Sequence, residues 1–280
     1  MMHLIMILTA LSVAWWLRST WNPLPGSWSL RWERSLFLFL FPPLLIFMTA
    51  IAVLCMGPQG KMGGMYTGEI SYLLALIFLT IVAILCVKLV FQGSQTVKAA
   101  RSFPVAHLEG EQVRLLNTEA LFAGLIGFWQ PELVVSQGLL QNLSPEHLES
   151  VLAHEKGHYH FRDTFWFFWL GCVRSCTAWL PNTDALWEEL LVLRELRADG
   201  YAASQIDPLL LAESLLLVVS STPVLSEICC AALGSSGTDR LEQRIEALLA
   251  PPEPTPETQP QSWNSFLLAL LPLITVIFHT

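Results

Sequence analysis

The sequence predicts a mostly α-helical membrane protein: N-terminal transmembrane helices, then an α+β domain built around a small sheet. Three observations lead there. The chain is 53% hydrophobic and only 14% charged, whereas soluble domains carry about 25% charged residues. Long apolar runs open it. From about residue 92 to residue 250 charges recur and the apolar runs shorten, with β-like pieces broken by Gly and Pro ahead of helical ones. The formal net charge of −8 argues against a nucleic-acid binder, which would show a basic patch.

The elements follow in order. A spanning helix needs roughly 20 mostly apolar residues. Leu4–Leu17, Ser35–Met56 and Ile70–Phe91 supply three candidates within residues 1–92. The first could instead be a secretory signal. It lacks a basic start and a small-residue cleavage site before Arg18, which favours a retained helix. Pro42 and Pro43 should kink the second. Arg18, Arg31 and Arg34 lie in the first loop, Lys61 alone in the second, and Lys98 and Arg101 beyond the third helix. The positive-inside rule then predicts a multi-pass cell-membrane protein with residues 93–250 in the cytoplasm.

That domain opens with expected strands at Val113–Leu115, Leu121–Ile126 and Glu132–Val135. His107 falls in an expected loop. Ser144-Pro145-Glu146 reads as an N-cap, a first-turn proline and an acidic first turn, so a helix should run from Pro145 to about Phe161. Inside it lies HEKGH. His154 and His158, four apart, share one helix face. Two imidazoles on a rigid helix can fix two positions of a zinc ion. Glu155 then stands where it can take a proton from the attacking water. The bland alternative is a surface helix with two solvated histidines, and the motif alone does not exclude it.

Catalytic zinc uses three protein ligands and an open position. Leu186–Ala203 should form a later helix, with Asp184 as its candidate N-cap. Glu195 can supply the third ligand, and Asp199, four residues on, can orient a ligating histidine. Taken alone, this charged stretch reads equally as a solvated face. Of the other histidines, His147 suits a surface position, and His160 is a weaker candidate for the site.

Residues 164–180, TFWFFWLGCVRSCTAWL, are apolar enough to suggest a crossing. A single crossing would separate His158 from Glu195. A membrane-associated interfacial helix is therefore expected, with a tilted hairpin or simple core packing as alternatives. Leu209–Ser220 should be a buried helix. Residues 251–263 form a Pro-rich linker. Residues 264–280 should form a C-terminal membrane helix, or else an interfacial anchor. The six cysteines show no paired CxxC spacing, so no disulfide or cysteine metal site is assigned; the vicinal Cys229 and Cys230 read as packing residues.

The stretch EALFAGLIGFWQPELVVSQGLLQNLSPEHLESVLAHEKGHYHFRD, followed by RELRADGYAA, resembles the gluzincin integral-membrane zinc metallopeptidases. It is most similar to the beta-lactam sensor/antirepressor (BlaR/MecR-like) peptidases, with CAAX-type and heat-shock membrane proteases as relatives. LEQRIEALL near Leu241 also fits the sensor-type branch. The resemblance implies a zincin-like domain holding one Zn2+ per chain. It makes His154, His158 and Glu195 the ligands, Glu155 the general base and Asp199 a group behind the ligands. It also implies an edge strand at Leu121, Phe122, Ala123 and Gly124 that binds an extended peptide. The 280 residues leave no room for a penicillin-binding domain, so beta-lactam sensing is not carried over. The expected partners are the lipid bilayer and a protein or peptide substrate, either a transcriptional repressor or a membrane protein. Two functions stay open: a metalloendopeptidase, or a regulatory signal transducer whose peptidase fold acts rarely or on itself. A scaffold with a degenerate site would lack Glu155 or Glu195, and both are present.

Overall fold

The computed structural model describes residues 2–23, 26–58, 61–62, 65–66, 68–108, 110–220, 237–250 and 264–278. The expected linker at 251–263 and Cys229 and Cys230 lie outside the described residues. The chain divides into two compact units. One comprises residues 1–88, 172–190 and 254–280, the other residues 89–171 and 191–253.

Among the described residues three helices are long and apolar enough to cross a membrane: α1 (Met2–Ser19), α2 (Trp28–Met56) and α3 (Glu69–Arg101). Helix α2 runs through Pro42 and Pro43. In the first unit α1 and α2 pack together, with Ala14, Ile46 and Leu180 in one buried cluster and Ala52, Val53, Met56 and Ala75 in another. Strands β1 (Lys61–Met62) and β2 (Met65–Tyr66) form a short antiparallel pair between α2 and α3. Arg31 donates to both Glu189 carboxylate oxygens at 2.8 and 3.0 Å. Residues 264–278 form an interrupted series of α and 3-10 turns, with Pro272 near the break. Leu273 and Val276 of that segment pack against the α2 cluster.

The second unit carries a four-stranded sheet of β3 (Val105–Leu108), β4 (Glu111–Leu116), β5 (Ala123–Ile126) and β6 (Glu132–Ser136). Its order is β3-β4-β6-β5. Only the β4–β6 pairing is parallel. His107, expected in a loop, pairs with Gln112 in the β3–β4 ladder. Strand β5 begins at Ala123, two residues later than expected. Phe122 N–H donates to the Ser136 hydroxyl at 3.0 Å rather than to a ladder carbonyl, which delays regular pairing. Helix α4 (Gln137–Asn142) follows β6 directly, because the same hydroxyl also accepts from Leu139 N and caps it.

Helix α5 (Pro145–His160) starts where Ser144 caps it, its hydroxyl accepting from His147 N. Val151 faces Val113, Leu121, Val135 and Leu139 in the core under the sheet. Ala153, on the other side of α5, joins Ala202, Leu211 and Leu215. These belong to α7 (Thr183–Ala203) and α8 (Pro208–Ser220). Leu241 and Leu248 of α9 (Gly237–Leu249) close that cluster. Asp184, expected as the cap of α7, lies inside its first turn and pairs instead with Arg174 at 2.8 Å. Helix α6 (Asp163–Cys176) ends before a turn that leads to α7. So 164–180 holds all but the first residue of this 14-residue helix, plus a turn.

Candidate metal centre

Helices α5 and α7 meet at Gly157. A Cβ there would lie 3.0 Å from Ala198 O and 3.1 Å from Ala198 Cα. The missing side chain lets the two backbones touch, and that contact brings Glu195 to the two histidines. His154 Nε2 and His158 Nε2 lie 3.1 Å apart, their rings perpendicular. Glu195 places one oxygen 3.4 Å from His154 Nε2 and the other 3.7 Å from His158 Nε2. Among the described residues this is the one group of three or more His, Cys, Asp or Glu side chains able to hold a metal ion.

The remote ring nitrogens explain why the Nε2 atoms face each other. His158 Nδ1 is hydrogen-bonded to Asp163 Oδ2 at 2.8 Å. His154 Nδ1 lies 2.8 Å from Asp199 Oδ1, an ion-pair approach outside hydrogen-bond alignment. Both carboxylates are almost fully buried. They favour the Nδ1–H tautomer and leave an Nε2 lone pair on each ring. Two lone pairs at 3.1 Å repel unless a cation or a proton sits between them.

The spacing suits a metal ion: one ligand atom from each of the three residues lies within 4.8 Å of the other two. With Zn–N bonds near 2.0 Å and tetrahedral angles, ligand atoms should lie about 3.3 Å apart. The facing Nε2 atoms are 3.1 Å apart, and the two Glu195 oxygens approach one histidine each, at 3.4 and 3.7 Å. Two imidazole nitrogens and one carboxylate oxygen are also the donor types that catalytic zinc takes.

Charges behind the centre hold it in shape. Arg244, from α9, donates to both Asp199 oxygens at 2.7 and 2.8 Å and lies 3.3 Å from Glu195. Arg194 donates to Glu195, and Arg197 to Asp163. Burial alone would raise the Glu195 pKa. Arg194, His158 and Arg244 reverse that and hold it well below the usual carboxylate range. Asp199 is likewise held down against its burial by Arg244 and His154. Burial would lower the His154 pKa, but Asp199 and Glu195 push it up to about 9, and His158 is raised in the same way by Glu195 and Asp163. The anionic ligand set therefore attracts a proton or a metal cation to the point where the rings meet.

The structure places the remaining sequence candidates as follows. Glu155 is half-buried, next to His154 on α5, and its charge acts on Arg244. Ala123 and Gly124 lie on β5, at an edge of the sheet. Leu121 turns its side chain into the core, and Phe122 spends its backbone N–H and C=O on Ser136. His160 stacks on Tyr201 at 4.9 Å. His147 bonds Ser144 and lies 3.5 Å from Glu213. Sequence reasoning missed Asp163, although it closes the quoted HYHFRD stretch. It also missed Arg244, which sits in the quoted LEQRIEALL. Neither position has a spacing rule that marks it in one sequence.

Residues 94–194 match the family model of Peptidase family M48. The match takes in the sheet, His154, Glu155, His158 and Asp163, and ends one residue before Glu195. It supports a metallopeptidase of the gluzincin type. No curated protein and no solved structure matches the chain. Glu195, Asp199 and Arg244 lie beyond the matched residues, and the geometry brings them to the histidines.

Proposed function

We propose that this protein is a membrane-embedded zinc metalloendopeptidase. It would cut a peptide bond in a cytoplasmic or membrane-proximal protein, in regulated proteolysis of the kind its sensor-type resemblance implies. The observation that carries the proposal is the pair of buried Nε2 atoms facing each other at 3.1 Å with Glu195 beside both. His154, His158 and Glu195 would hold the metal. Bound zinc would supply Lewis-acid chemistry, polarising the scissile carbonyl and acidifying water. Glu155 takes the proton of the attacking water and delivers it to the amine nitrogen as the C–N bond breaks. Asp163 and Asp199 keep the imidazoles oriented throughout. The β5 edge offers backbone groups to an extended peptide.

Metal analysis and a cleavage assay test this together. The purified protein should carry one zinc per chain, and His154→Ala or His158→Ala should lose most of it. Glu155→Gln should keep the zinc and lose cleavage, because Glu155 is not a ligand. Equal zinc in all three proteins, or cleavage by Glu155→Gln at the wild-type rate, would sink the assignment.

A further inference from the structure

A cavity of about 490 Å³ lies in the first unit and shares no residue with the metal centre. It opens beside the connection between α1 and α2. Small-molecule sites span about 300–1,000 Å³, so it has room for a ligand. Leu30, Phe37 and Phe266 form an apolar wall, with the Phe37 and Phe266 rings in edge contact at 5.6 Å. Trp21, Asn22, Arg34 and Ser35 form a polar one.

The polar wall is not satisfied from within. Ser35 is only 3% exposed, and its hydroxyl meets no hydrogen-bond partner among the described residues. Burying such a group alone is unfavourable, which favours an occupant that bonds it. The Arg34 guanidinium donates to Thr20 O at 3.5 Å and meets no carboxylate among the described residues. Arg31, one turn earlier, is instead held by both Glu189 oxygens. Glu33 also lines the cavity; it is exposed and pairs with no cation among the described residues. One cation and one anion therefore face the cavity uncompensated. A complementary occupant carries an oxyanion for Arg34 and Ser35, a cationic N–H group for Glu33, and an apolar part for Phe37 and Phe266.

The place of the cavity narrows the class. Helices α1 and α2 pack on each other, and both are long and apolar enough to cross a membrane. Residues 21–23 between them are not helical. Irregular backbone has no place in hydrocarbon, so this end of the helix pair belongs among headgroups. We propose that the cavity binds an amine-bearing phospholipid. Its phosphodiester accepts from Arg34 and Ser35, its ammonium pairs with Glu33, and an acyl chain runs along Phe37 and Phe266. The site rests on the membrane reading of α1 and α2 and needs no peptidase chemistry.

The test uses the full chain. Membranes are first washed with alkaline carbonate. Release of the chain into the wash sinks the membrane reading, and the lipid site with it. The retained chain is extracted in a phosphate-free detergent, stripped of lipid and titrated with phosphatidylethanolamine, with adducts counted by native mass spectrometry. Binding should saturate at one lipid per chain. Phosphatidylglycerol and diacylglycerol with the same acyl chains should bind about tenfold more weakly or worse, since each lacks at least one charge-assisted contact. Arg34→Gln should weaken phosphatidylethanolamine binding about tenfold, and Arg34→Lys should restore most of it. Glu33→Gln should erase the preference over phosphatidylglycerol. Lys98→Gln, an exposed cation outside the cavity, should change nothing. Adducts that never saturate, or that form equally with all three lipids, overturn the site. Unchanged binding by Arg34→Gln, or equal losses in Arg34→Gln and Lys98→Gln, does the same. Soluble phosphoethanolamine should compete poorly because it lacks the acyl chain. If it binds as tightly as the lipid, the site takes a soluble zwitterion and the lipid assignment falls.

Discussion

At the residue scale, Asp163 bears most directly on the metal. It bonds His158 Nδ1 on one side and accepts from Arg197 on the other. Asp163→Asn keeps the shape but removes the charge that favours the Nδ1–H tautomer. Groups that orient a ligating histidine in this way are worth about 10–100-fold in metal affinity. Competition with a calibrated zinc chelator should show a loss in that range, with the zinc-loaded stoichiometry still one. An unchanged affinity would mean that Asp163 only anchors Arg197. Arg244 is a different case. Its buried guanidinium offsets two buried carboxylates, so a neutral replacement strands charge rather than removing one contact.

At the element scale, the contact between α5 and α7 decides whether there is a site. It depends on Gly157 having no side chain above Ala198, which is itself fully buried. Gly157→Ala forces the helices apart by a few tenths of an ångström, and overpacking of this kind costs about 1–3 kcal/mol. The same shift draws Glu195 away from the histidines. The variant should therefore lose zinc affinity as well as thermal stability, while Gly200→Ala, whose Cβ would meet open space, should lose neither. Equal effects of the two would remove the packing explanation. The β5 edge gives a second prediction. Phe122 bonds Ser136, so the alternation of an antiparallel ladder turns the Ala123 N–H away from β6. Ala123→Pro removes that outward donor and leaves the ladder in place. Cleavage of an extended peptide should fall with zinc content intact, and unchanged cleavage kinetics would count against substrate pairing on this strand.

At the scale of the whole molecule, the proposed metal centre is expected on one particular side of the membrane. Arg18, Arg31, Arg34, Lys98 and Arg101 argue for the cytoplasmic side. Glu149 is exposed on α5, so Glu149→Cys offers a handle there. An impermeant thiol reagent should leave it unlabelled in intact cells and label it after lysis, with the parent protein run in parallel for its native cysteines. Labelling in unbroken cells would place the peptidase outside and reverse the choice of substrate compartment.

The sequence by itself determined the features that depend on local periodicity and on fixed spacing. Three apolar runs marked three long helices. Ser144-Pro145 marked the start of α5, and HEKGH marked two imidazoles on one face, because a helix repeats every 3.6 residues whatever surrounds it. ELRAD gave the two acidic residues, but nothing local could say whether they face water or the histidines. Tertiary structure decided that. Gly157 lets α7 approach, Asp163 reaches back from the next helix, and Arg244 arrives from α9, 45 residues beyond Asp199. The short strand β3 and the cap of α7 were missed for a related reason. Residues Val105–Leu108 gain their strand character from pairing with β4, and Asp184 gains a partner in Arg174 rather than in its own helix. Pairing between segments costs chain entropy that the partner must offset, so its outcome is not written in any one segment.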